Sequence, residues 1–96
     1  MGGLRLDEPA ADLPVAISLI SSLKDTPVSE GLVAFGEVGL AGEIRSVSNA
    51  ESRIAEAARL GFTRILVPRH NLKSISPRKD IQVVGVATVR EAYEAL

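Results

Sequence analysis

Apolar positions recur along this chain with two different periods, and the periods separate its elements. Leu13, Ala16, Ile17, Ile20 and Leu23 stand three and four apart, which is the stripe of an amphipathic helix. Asp7-Glu8-Pro9 reads as the entrance to that helix. Pro14 has no N–H to donate and is tolerated only in a first turn, so the regular helix begins between residues 10 and 13. Lys24-Asp25-Thr26-Pro27 closes it. Upstream, Gly3-Leu4-Arg5-Leu6 alternates like a short strand.

Gly31 to Val38 reads as a strand and Glu43 to Val47 as its return, joined by the tight turn Gly39-Leu40-Ala41-Gly42. Ser48-Asn49-Ala50-Glu51 has the form of a capping box, in which Ser48 and Glu51 satisfy each other's free backbone donors. It predicts a helix over 49–60 that buries Ile54, Ala57 and Ala58, with Gly61 as its stop. Ile65-Leu66-Val67 is a short apolar run typical of a buried strand, and Ile81 to Val86 is another. Residues 69–80 between them form a polar, basic loop with room for one helical turn. Thr88-Val89-Arg90-Glu91 is a second capping box, and Val89, Ala92, Tyr93 and Leu96 share a face of the helix it opens. The order is strand, helix, two strands, helix, strand, strand, helix. That order predicts an α/β domain with a partly parallel sheet.

With 96 residues the chain is one small domain, which buries roughly 60–65% of its unfolded surface. Almost half its residues are hydrophobic, yet it has two Phe, one Tyr and no Trp, so Val, Ile, Leu and Ala must fill the core. The absence of Cys excludes disulfides and thiolate metal sites, and one His makes a histidine metal site improbable. No basic region followed by an apolar run marks a secretory signal, and no apolar stretch approaches the roughly 20 residues that span a bilayer. A cytoplasmic domain with no membrane partner is the expectation.

The net charge of −1 conceals an uneven distribution. Residues 1–44 carry a balance of −5 and residues 45–79 a balance of +6, after which the last stretch returns −2. The positive segment holds Arg45, Arg53, Arg59, Arg64, Arg69, Lys73, Arg78 and Lys79. Such asymmetry points to an anionic partner, nucleic acid above all, or to the solvated face of a helix and its loops.

Candidate chemistry is sparse. Gly36, Gly39 and Gly42 do not form a phosphate loop, because no Gly-Lys-Ser/Thr follows and the turn joins two strands. Ser18, Ser21 and Ser22 with Lys24 form a serine–lysine pairing on paper, but their spacing also suits the polar face and end of a helix. Asp7, Glu8 and Asp12 suit the positive end of the same helix. His70, beside Arg69 and Asn71, reads as an exposed loop residue.

Leu6-Asp7-Glu8-Pro9-Ala10-Ala11-Asp12-Leu13 and Gly36-Glu37-Val38-Gly39-Leu40-Ala41-Gly42-Glu43-Ile44-Arg45 resemble the signatures of the C-terminal Lon protease-like domain of the bacterial RadA/Sms DNA-repair ATPase family. Arg53-Ile54-Ala55-Glu56-Ala57 and Leu60-Gly61-Phe62 extend the likeness over nearly the whole chain. In active Lon-type proteases the catalytic serine lies in a Gly-Pro-Ser-Ala-Gly run. Laid over this chain without gaps, that run meets Glu8-Pro9-Ala10-Ala11-Asp12, which puts the serine at Ala10. The same register puts the threonine before Gly-Glu at Phe35 and the catalytic lysine at Glu51. None of the three supplies the chemistry needed.

The resemblance therefore implies a Lon proteolytic-domain-like fold (ribosomal protein S5 domain 2-like), a mixed sheet packed with helices, whose peptidase activity has been lost. It implies that the family's domain begins upstream of Met1, with Met1-Gly2-Gly3 a truncated start. ATP, Mg and zinc would belong to a RecA-like ATPase and a zinc motif outside this chain, which itself needs no cofactor. The implied whole is a ring-shaped, ATP-driven helicase of recombinational repair, a hexamer in the bacterial cytoplasm that meets DNA and recombination proteins. Within it this domain would support homo-oligomer assembly and contact single- or double-stranded DNA. Arg45, Arg53, Arg59, Arg69, Lys73, Arg78 and Lys79 are the candidate phosphate contacts. The alternatives are an active serine–lysine peptidase and an assembly module that makes no DNA contact.

Overall fold

The computed structural model describes residues 9–24, 27–28 and 30–96. The strand expected at Gly3–Leu6 lies outside them. A 3-10 turn, Pro9–Ala11, leads into helix α1, Asp12–Lys24. Pro14 is the third residue of α1, where its missing N–H has no partner to lose. Leu13 and Ile17 are buried and Ala16 and Ile20 are half-buried, as the stripe predicts. Leu23 departs from it, with 86% of its surface exposed. At 3.6 residues per turn Leu23 lies about a quarter-turn from the centre of the stripe. It stands instead beside Leu19 and Val15, which are 61% and 52% exposed.

The strand expected over residues 31–38 is two strands in two different sheets. Strand β1, Leu32–Ala34, belongs to a parallel three-stranded sheet, and β2, Glu37–Val38, pairs antiparallel with β3, Ile44–Arg45. The break falls at Phe35-Gly36. Phe35 N–H still donates to Leu66 O at 3.1 Å, but Gly36 N–H turns to Ala10 O at 3.0 Å, and Gly36 O accepts from Leu13 N–H at 2.9 Å. The entry to α1 has captured the strand's backbone groups. Only glycine fits there, since a Cβ would stand 2.9 Å from Ile44 Cγ2 and 3.4 Å from Leu13. The hairpin turn is the expected one, closed by Gly39 N–H to Glu43 O at 2.8 Å, with Gly42 at φ 83.

Helix α2, Ala50–Arg59, corrects the first capping box. Its N-cap is Asn49 in the left-handed region (φ 61), with no side-chain cap bond. Ser48 therefore sits one residue too early to cap. The Glu51 carboxylate instead accepts from Ser76 N–H at 2.8 Å, across 25 residues of sequence. The helix ends as predicted. Gly61, at φ 96, donates to Ala58 O at 3.1 Å, and Phe62 donates to Ala57 O at 3.1 Å, which is the paired Schellman arrangement.

Strands β4, Arg64–Pro68, and β5, Gln82–Val86, complete the sheet in the order β1-β4-β5, all parallel. Ile65, Leu66, Val67 and Pro68 of the central strand are buried. Strand β5 was expected to be buried; as the sheet edge it buries Val86 and leaves Gln82 exposed. Helix α3, Val89–Glu94, starts at Thr88, whose Oγ1 accepts from Glu91 N–H at 3.1 Å as predicted.

Two cores flank the sheet. Ile65 and Val67 pack with Phe35, Ala50, Ile54 and Ala57 against α2, while Leu66 packs with Leu13, Ile17, Ile44 and Ala92 against α1 and α3. This is α/β layering with helices on both faces of a parallel sheet. A 3-10 helix, Arg69–Ser74, follows β4 directly. Its Asn71 is a buried polar residue with both amide atoms used. Asn71 Oδ1 accepts from Val47 N–H and Nδ2 donates to Val47 O, each at 3.0 Å. One side chain thus mimics a strand partner and ties the basic segment to the chain entering α2.

Replacing Asn71 with Ala strands both Val47 groups, and we expect a loss of about 2 kcal/mol in urea unfolding followed by circular dichroism. Asn71→Asp, which sets a carboxylate against the Val47 carbonyl, should cost at least as much. Unfolding midpoints unchanged in both variants would contradict this role.

Candidate nucleic-acid interface

The seven candidate cations do not converge. Strands β4 and β5 are parallel, so the segments that follow them lie at one end of the strands and those that precede them at the other. Arg69 follows β4 and Arg45 lies on the hairpin, which docks at the same end through Ile44 N–H to Ala87 O at 2.8 Å. Arg59, at the end of α2, and Lys79, just before β5, lie toward the opposite end. Those ends are about 13 Å apart, four strand steps of ~3.3 Å. Lys73 and Arg78 stand on the segment that runs between them.

Most of these cations already have carboxylate partners. Arg45 pairs with Glu43 at 3.0 Å, Arg69 with Glu91 at 3.0 Å, Arg78 with Asp80 at 2.8 Å, and Arg59 with Glu56. Arg78 holds Asp80 with both Nε and Nη2, at 2.9 and 2.8 Å, and this pairing lowers the Asp80 pKa. The Glu56 pKa is likewise lowered, by Arg59. For Glu91 the largest cause of lowering is the Ala87 N–H, which donates to it at 2.6 Å, with Arg69 adding to the effect. The Arg45, Arg59 and Arg69 pairs are solvent-exposed on both sides, so exchanging their carboxylates for a phosphate costs little, while the Arg78 side chain is partly covered. Arg53 is half-buried, donates to Ser48 O at 3.0 Å and lies over the Phe35 ring, 5.8 Å from its centroid. Lys73 and Lys79 are exposed and have no ion pair among the described residues.

The positions matched to a peptidase site are also apart in character. Ala10 and Phe35 are both buried in the core against α2, and Glu51 is exposed and holds Ser76. Ser18 and Ser22 are exposed on α1. Among the described residues no group of three or more His, Asp or Glu side chains is placed to hold a metal ion, and no helix is long and apolar enough to cross a membrane. Sequence reasoning missed Asn71 and the Glu51–Ser76 tether, which together fix the basic segment. Their partners lie 24 and 25 residues away, and no local pattern announces them.

Comparison with known proteins adds a name to this geometry. Curated relatives named DNA repair protein RadA align with nearly the whole chain. The Streptococcus pneumoniae protein is 53% identical over 93 residues, covering 97% of this chain and 22% of its own length. The Bacillus subtilis protein is 52% identical over 91 residues, covering 95% and 20%, and the Listeria monocytogenes protein 52% over 93 residues, covering 97% and 20%. The chain thus spans about a fifth of the length of these relatives. A protein-family model described as subunit ChlI of Mg-chelatase matches residues 2–71, well over half of the chain. By that match the chain belongs to the ChlI family, and the homologues that share about half its residues are DNA repair proteins.

Proposed function

We propose that this chain is a Lon-like domain without peptidase activity, which serves assembly and sequence-independent DNA contact in a RadA-type, ATP-dependent DNA-repair helicase. The observation that carries the reading is the segment 69–80, a basic run pinned by Asn71 and Glu51 in a chain whose relatives are named for DNA repair. It presents Arg69, Lys73, Arg78 and Lys79 against one internal carboxylate, Asp80. Cations on a braced surface attract phosphates and release their counterions, with no means of reading a base. Loss of peptidase chemistry is supported by Ala10 and Phe35, which fill a core where a nucleophile would need access to solvent.

Assembly is the second role, and the exposed row Val15, Leu19 and Leu23 favours it. An apolar row on a surface helix is the kind of face that a neighbouring subunit covers. In the full-length protein the neighbour would be another protomer of the ring, in the cytoplasm. ATP, Mg and zinc would be held by other domains.

Fluorescence anisotropy of labelled single- and double-stranded DNA at low and physiological salt tests the DNA role. Lys73→Glu combined with Lys79→Glu should weaken binding at least about tenfold at low salt and flatten the salt dependence by about two counterions. Unchanged affinity in that variant removes the segment from the interface. For assembly, sedimentation across a concentration series should show self-association that Leu19→Glu abolishes. A monomer at every concentration would contradict that role, and inhibitor-sensitive cleavage of a peptide substrate would restore the peptidase reading.

A further inference from the structure

On the sheet face opposite α2, helices α1 and α3 pack together and leave an open cleft of about 450 Å3 lined by Ile20, Lys24, Val89, Arg90, Tyr93 and Glu94. None of these residues belongs to the basic segment. The chain has three aromatic residues; Phe35 lies in the core against α2 and Phe62 packs on that core. Tyr93 belongs to neither core and is half-buried at the cleft.

We propose that this cleft takes an unstacked base of single-stranded DNA against the Tyr93 ring, with the adjoining phosphates on Arg90 and Lys24. The inference rests on the reading that the chain contacts DNA, and it adds a second, chemically different contact. Ile20 and Val89 supply apolar surface beside the ring, which suits the face of a base. Lys24 ends α1 and Arg90 stands in the first turn of α3, so the two cations come from different helices around one aromatic. Both are exposed, and Arg90 has no ion pair among the described residues. Glu94, the one acid in the lining, leaves the cleft a net positive charge and is an acceptor for a base's exocyclic amino group. The basic segment draws single and double strands alike, whereas a stacking ring favours the strand whose bases are free.

Tyr93 is the only tyrosine in a chain without tryptophan, so its emission reports the cleft directly. Titration with oligo(dT) should quench that emission with the midpoint seen by anisotropy of the labelled strand. An abasic strand of equal length should bind about tenfold or more weakly and leave the emission unchanged. Tyr93→Leu should reproduce that loss, Tyr93→Phe should retain affinity, and Arg90→Glu should weaken binding. The abasic strand tests the same contact in unaltered protein should Tyr93→Leu fail to fold. Binding without quenching, equal for abasic and normal strands, would overturn the cleft while leaving DNA contact intact. Absence of binding to any strand at low salt would overturn both.

Discussion

Burial of β4 on both faces is the constraint on which the rest of this structure depends. Its apolar side chains cannot be satisfied by one helix layer. Ile65 and Val67 require α2, and Leu66 requires α1 and α3. Each such side chain contributes about 1.5–3 kcal/mol when buried, a large share of a small domain's net stability of about 5–15 kcal/mol. Parallel pairing on both sides satisfies the strand's backbone and sets β1 and β5 in register with it. The strand ends at Pro68, and the basic segment begins at the next residue. The most deeply buried strand of the fold therefore leads directly into its most basic segment.

That central strand was legible because its signal is local: a short apolar run between a helix stop and a polar stretch. The Gly61 stop and the Thr88 cap were legible for the same reason, since each acts within a few residues of itself. The two departures near the first capping box and the hairpin have a common cause. Gly36 gives its backbone groups to Ala10 and Leu13, more than twenty residues upstream, and this splits a run that reads as one strand. Glu51 spends its carboxylate on Ser76 instead of the helix entrance, while Asn49 takes the cap position in a conformation that Asn tolerates. In each case a tertiary partner outcompeted a local pattern. Leu23 is a smaller lesson in helical geometry, because three-and-four spacing continued for three turns drifts around the helix.

The candidate site shows the same division. The cations could be read from the sequence, but their partners could not. Arg69 meets Glu91 across 22 residues, and the acids that neutralise the positive segment come from both sides of it. Its formal charge therefore overstates its field. What remains is a braced strip with Lys73 and Lys79 outside the ion pairs, and an aromatic cleft on the other face of the sheet that the charge count passes over entirely. On the proposed reading the strip attracts phosphates and the cleft stacks a base, two separate contacts that suit unpaired DNA without sequence choice.

The most direct test of this account is the perturbation of backbone amide signals in two-dimensional NMR as single-stranded DNA is added to the isotope-labelled chain. The account predicts progressive shifts at Lys73, Arg78 and Lys79 and at Arg90 and Tyr93, with the buried amides of Leu66 and Ile54 unmoved. Shifts confined to the exposed row of α1, or none at low salt with DNA in large molar excess, would contradict it.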